Sequence, residues 1–132
     1  MLRSGTISEH LSLTVSLRGT RDVQPTHQIF RLSGMLDAFS EQHIRKALQQ
    51  AIETGPKQII MDLSKIEFID SSGLGVLVQT AKQLQAAGGN LYIVTNPRVT
   101  QAVKLVRLDQ FLSLHPSLEA ALAAVPKGDA PA

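Results

Sequence analysis

The sequence has no cysteine and no tryptophan, and only one tyrosine and four phenylalanines in 132 residues. The missing cysteine excludes a disulfide framework, thiol nucleophiles and cysteine-based metal sites. Basic and acidic side chains nearly balance, 13 against 11, for a formal net charge of +2. So small an excess, with so few rings to stack on bases, supplies neither the phosphate footprint nor the stacking platform of a nucleic-acid-binding protein. No segment approaches the ~18 consecutive apolar residues of a membrane-spanning helix. The opening MLRSGTISEHLSLTVSLRG alternates polar with apolar residues where a signal peptide carries a continuous apolar stretch. A cytoplasmic protein with no direct membrane insertion is expected. The four histidines, His10, His27, His43 and His115, are scattered without the spacing of a metal motif. Neither a metal nor another cofactor is expected.

What is present is the composition of one soluble globular domain, with 43% hydrophobic and 18% charged residues. Leu11, Leu13, Val15 and Leu17 alternate with Ser12, Thr14 and Ser16, a period of two that predicts a half-buried first strand over residues 11–17. Gly19, Asp22 and Pro25 then read as turn formers in a loop. QIFRLSG, residues 28–34, reads as a second strand able to return as a hairpin partner. From Ser40 the period becomes helical: Ile44, Ala47, Leu48, Ala51 and Ile52 form one face, Ser40 is the expected N-cap and Gly55-Pro56 the stop. QIIMDLS (58–64) predicts a strand, Gly73 to Ala87 a helix closed by Gly88-Gly89, and NLYIVT (90–95) another strand. Asn96-Pro97 opens a third helix, FLSLH (111–115) makes a last strand, and Ser117 begins a final helix to about Val125. The order β-β-α-β-α-β-α-β-α implies an α/β fold with a small mixed, mostly parallel sheet and an antiparallel hairpin at its N-terminal end. The expected organisation is a flexible segment over residues 1–9, one domain over 10–125 and a disordered tail over 126–132.

The stretch IEFIDSSGLGVLV, residues 66–78, carries the chemistry of interest. An apolar run ends in Asp70, two serines and a Gly-x-Gly, in the loop expected to open the second helix. In a parallel sheet that is the rim where function collects. Capping alone needs one polar residue. Three in a row before Gly73, which has no side chain to block approach, make a more open helix start than capping requires. A serine at a helix N-terminus suits phosphorylation: the modification adds about −1.5 to −2 charges, which unpaired amides and the positive end of the helix dipole accommodate.

The segment MDLSKIEFIDSSGLGVL, with RLSGMLDAF before it and AAGGNLYIVTNPRVTQAVKLVRLDQFLSL after it, closely resembles the STAS domain of bacterial anti-sigma factor antagonists, also called anti-anti-sigma factors. The resemblance runs from about Gln28 to Val125. It implies a small mixed sheet with helices mainly on one side. It also implies that the second hydroxyl residue of the D-S-[ST]-G block, Ser72, is phosphorylated, with Asp37 as the acidic residue near it and Asp70, Ser71 and Gly73 as flanking positions. The implied partner is an anti-sigma factor that is also a serine kinase. The unphosphorylated chain binds it and releases the sigma factor, phosphorylation switches binding off, and a PP2C-type phosphatase restores it. The chain would be a substrate of enzymes and not itself one, and a monomer, since its helices carry charged outer faces.

Other classes lack their apparatus. An aspartate-phosphorylated receiver built on Asp62 would need an acidic pair after the first strand and a lysine after the last, and neither is present. Ser71-Ser72-Gly73-Leu74-Gly75 is not the G-x-S-x-G of a hydrolase, and Gly73-x-Gly75 lacks the remaining glycine or Lys-Ser/Thr pair of a phosphate loop. The alternative within the same resemblance is a STAS scaffold or regulatory subunit of a sensory complex or membrane transporter.

Overall fold

The computed structural model describes residues 7–127. They form a six-stranded sheet whose strands lie in chain order: β1 Ile7–Leu11, β2 Leu17–Val23, β3 Gln28–Leu36, β4 Gln58–Ile69, β5 Asn90–Val94 and β6 Ser113–His115. The pairings β1–β2 and β2–β3 are antiparallel and the rest parallel. Helix α1 (Glu41–Thr54) joins β3 to β4, and α2 (Ser71–Ala86) joins β4 to β5. Helix α3 (Pro97–Leu105), with a 3-10 turn at Leu108–Gln110, joins β5 to β6, and α4 (Leu118–Ala124) follows.

Where parallel strands march across a sheet in one direction, right-handed crossovers place successive helices on one face. Helices α1, α2 and α3 accordingly share a core in which Phe30, Ile59, Met61, Leu63 and Ile93 meet Ile44, Leu48, Leu77, Leu84 and Val103. The alternate strand residues Ile29, Ile60, Tyr92 and Val94 point the other way and are covered by Ala121 and Leu118 of α4. Covering on both faces explains why β4 and β5 carry unbroken apolar runs at 59–61 and 91–94. The α/β class, the mixed sheet and the one-sided majority of helices are as expected.

The N-terminal end is not. Of the residues predicted as one strand, 11–17, Leu11 ends β1, Leu17 begins β2, and 12–16 connect the two. Thr14 Oγ1 accepts a hydrogen bond from Leu17 N at 3.0 Å, a hydroxyl turn that breaks the extended run. Leu11 and Leu13 still pack on the core, whereas Val15 is 100% exposed. The true strand is LRGTRDV, which reads in the sequence as a loop because of its glycine and charges. A Cβ on Gly19 would lie 2.5 Å from Leu32 Cδ2 and 2.9 Å from Arg31 O, so this glycine serves close packing within a strand and not a turn. The charges are partnered: Arg21 donates to Gln28 Oε1 at 2.7 Å and to Glu9 Oε1 at 3.0 Å, and Arg31 pairs with Asp22.

Within the segment expected to be loose, residues 7–9 belong to β1, opposite Val23, Asp22 and Arg21. Residues 1–6 and 128–132, most of the flexible segment and of the tail, lie outside the described residues. Strand β4 also runs on to Ile69 instead of stopping at Ser64. Near Ser64 its pairing with β3 is irregular, with a register shift between Arg31 and Ser33. Among the described residues, no helix is long and apolar enough to cross a membrane.

Candidate functional site

The parallel pairing of β3 with β4 ends at Leu36 opposite Ile69, so the next residue of each strand, Asp37 and Asp70, emerges on the same rim. Asp70 N donates to Leu36 O at 3.3 Å. Asp70 is the N-cap of α2, with an extended backbone (φ −114°, ψ −171°) and Oδ1 accepting from Gly73 N at 3.0 Å. Its other oxygen accepts from Ala38 N at 3.3 Å, joining the loop after β3 to the start of α2.

Asp37 organises that loop. Its Oδ1 accepts from the amides of Phe39 and Ser40, both at 3.1 Å, and lies 3.2 Å from the Ser40 hydroxyl. Ser40 Oγ accepts from Asp37 N at 2.9 Å. Ser40 holds the N-cap position expected for α1, but its hydroxyl is engaged by the preceding loop and caps nothing. Its backbone is helical, it is buried, and its side chain bonds no first-turn amide of α1.

Helix α2 begins two residues earlier than its apolar period suggests, which puts both serines in its first turn. Ser71 is exposed and Ser72 half-buried. Among the described residues neither hydroxyl has a hydrogen-bond partner, and Asp70 does the capping. The amides of Ser71 and Ser72 have no helical carbonyl behind them, and they stand at the positive end of a helix 16 residues long.

The two glycines of the Gly-x-Gly differ. Gly73 is buried, and a Cβ there would fall 2.3 Å from Leu36 O and 2.8 Å from Ile69 Cγ1. It does not leave the rim open to a partner. It lets the first turn of α2 close on the end of β3. Gly75 is exposed, and a Cβ there would meet nothing within 4 Å.

Phe39 is a rim residue that pattern reading passes over. It stands two residues after Asp37, donates its amide to the Asp37 carboxylate and is 85% exposed, a large apolar side chain in the loop after β3. The available signal was an aromatic outside the apolar period of α1. Burial lowers the pKa of His27 and raises that of Tyr92, and both residues lie away from this rim. Among the described residues no cluster of three or more His, Asp or Glu side chains could hold a metal.

Comparison with known proteins places this rim in a family. Residues 19–121 match the STAS domain. A Bordetella bronchiseptica protein assigned as the anti-sigma factor antagonist BtrV is 30% identical over 97 residues, covering 70% of this chain and 81% of its own length. The crystal structure of an anti-sigma factor antagonist from Mycobacterium paratuberculosis superposes with a TM-score of 0.74 at 27% identity, covering 87% of this chain and 98% of that one. The Bacillus cell fate determinant SpoIIAA, solved in its phosphorylated form, shares the fold, with a TM-score of 0.62 at 21% identity over 91% of this chain and all of its own. With its sheet, its three-to-one helix layering and most of its length matched, the chain belongs to the STAS domain family.

Proposed function

We propose that this chain is an anti-sigma factor antagonist whose binding is switched by phosphorylation of Ser72. The observation that carries the reading is a serine hydroxyl in the first turn of α2, with no hydrogen-bond partner among the described residues, on the rim shared by Asp37 and Asp70. The helix end accommodates the added −1.5 to −2 charges, so the modified chain keeps its fold. A partner carboxylate seated about 4 Å away, at an effective dielectric of about 20, would be opposed by roughly 4 kcal/mol per unit charge, which weakens binding several hundredfold. The relatives named as anti-sigma factor antagonists support the class of partner, and the phosphorylated form of SpoIIAA supports the type of control.

In this reading the partner is an anti-sigma factor that is also a serine kinase. The unphosphorylated chain binds it and frees the sigma factor, and a PP2C-type phosphatase returns the modified chain to the binding state. The chain acts in the cytoplasm as a monomer, is not an enzyme and uses no cofactor of its own. Incubation with the cognate anti-sigma kinase and Mg-ATP, followed by mass spectrometry, tests it. One phosphate is expected on Ser72 and none on a Ser72→Ala chain. Phosphate on Ser71 with Ser72 bare, undiminished labelling of Ser72→Ala, or recovery of a transporter subunit as the main partner would refute it.

A further inference from the structure

Gly75 is a glycine that the fold does not need. It lies inside α2, where glycine costs about 1 kcal/mol relative to alanine. Its backbone is not left-handed, and a methyl group would enter open space. Gly73, two residues earlier, shows what a structurally required glycine looks like in the same helix.

Gly75 sits in a groove of about 460 Å³ between α2 and the segment that follows α3. Val78 forms one wall and Val106 and Leu108 the other, Ser71 stands at one end, and Lys82 at the other. Residues 71, 75, 78 and 82 recur at helical spacing along one stripe, so the groove spans about 16 Å from a rim serine to a lysine. The wall beyond α3 is built at a cost. Arg107 holds a left-handed backbone (φ 59°, ψ 29°), a conformation costing roughly 1–2 kcal/mol outside glycine. The turn leaves Val106 half exposed in the groove wall.

We propose that this groove is where the anti-sigma factor docks, by an apolar segment whose backbone passes over Gly75 and whose carboxylate meets Lys82. The inference rests on the function proposed above and adds to it the surface through which the partner holds the chain. Three features select this occupant. The groove opens at Ser71, next to the proposed phosphoacceptor, so a segment lying in it is held against the rim that the phosphate would charge. The walls are apolar and the only charged side chain lining it is cationic, which fits a partner apolar along its length and acidic at one end. The missing Cβ at its centre admits a backbone where any other residue would hold it off.

The test uses the full chain and its purified anti-sigma factor, with wild type, Gly75→Ala and Lys82→Glu compared by calorimetric binding and thermal melting. Gly75→Ala is expected to raise the melting temperature by about 4 °C, because alanine is the better helix former and meets no neighbour. The same change is expected to weaken binding at least tenfold. Lys82→Glu is expected to melt with wild type and to bind more weakly, with less dependence on salt. A Gly75→Ala chain that binds as tightly as wild type overturns the groove, and so does one that melts lower, since the fold would then require the glycine. Unchanged binding by Lys82→Glu overturns the acidic end of the partner segment. Failure of wild type itself to bind any anti-sigma factor refutes the function proposed above, an outcome distinct from a bound wild type and an equally bound variant.

Discussion

Replacing Gly73 with alanine sets two effects in the same helix against each other. Alanine gains about 1 kcal/mol of helix propensity. Its Cβ, however, would sit 2.3 Å from Leu36 O, about an ångström inside ordinary contact. That oxygen cannot easily withdraw, because it also accepts from Asp70 N. The helix start must then move as well, which loses the 3.0 Å bond from Gly73 N to Asp70 Oδ1, at about 1 kcal/mol for a cap. Overpacking of this kind costs about 1–3 kcal/mol. The balance is a net loss of about 2 kcal/mol, a large part of the roughly 5–15 kcal/mol by which domains are stable, and a fall in melting temperature of about 8 °C. Urea unfolding with an unchanged slope would confirm that stability, and not the extent of unfolding, has changed. Gly75→Ala carries the same propensity gain without the clash, so the difference between the two variants isolates the contact with Leu36. A Gly73→Ala chain melting at or above wild type would refute the reasoning.

Gln28 is fully buried, donates to Ala51 O at 2.9 Å and Pro56 O at 2.8 Å, and accepts from Arg21. Gln28→Ala takes the side-chain donor from Pro56 O and the acceptor from Arg21, while Ala51 O keeps its bond from Gly55 N, and should cost about 1–3 kcal/mol by urea unfolding. Asp37→Asn keeps an acceptor oxygen for Phe39 N and Ser40 N while removing the charge, so it should melt close to wild type yet alter phosphorylation or partner binding. If it melts far lower and its folded fraction is phosphorylated and bound normally, Asp37 is structural. Ser72→Asp should weaken partner binding less than the phosphate does, since it carries one charge where phosphoserine carries up to about two. Binding equal to that of the phosphorylated chain would contradict this. Ser71→Ala should still accept phosphate on Ser72, and mass spectrometry that finds none would give Ser71 a larger part.

The parallel half of the fold was legible because each of its signals is local. Asn96-Pro97 caps α3, with Asn96 Oδ1 accepting from Val99 N at 2.8 Å, and Gly88, with φ +84°, ends α2. The apolar runs of β4 and β5 are long enough to need cover on both faces. The antiparallel half was not legible, because there side chains are chosen by cross-strand neighbours. Gly19 answers to Leu32 and Arg21 to Gln28, and neither relation shows in a window of a few residues. At the rim, Asp70, Ser71 and Ser72 were visible as a polar block after an apolar run. The division of labour among them was not, since which residue caps depends on where the first turn closes. That is set by the approach of Gly73 to Leu36, on a strand far away in the chain. Ser40 stands at the expected N-cap of α1, but for the same reason the role of its hydroxyl was not legible, since the preceding loop claims it.

Asp70 holds the start of α2 with one oxygen and the loop of Ala38 with the other, and Gly73 seats the same turn on the end of β3. The two rim loops therefore have no hinge between them. A charge added in this turn meets a frame without slack, and its message leaves the molecule as a field and not as a displaced loop. Such a field fades over about 8 Å at physiological ionic strength. A partner approaching from farther away meets the same shape in both states, and only one already seated on the rim feels the difference. Discrimination then falls on how long a complex lasts and not on how often it forms.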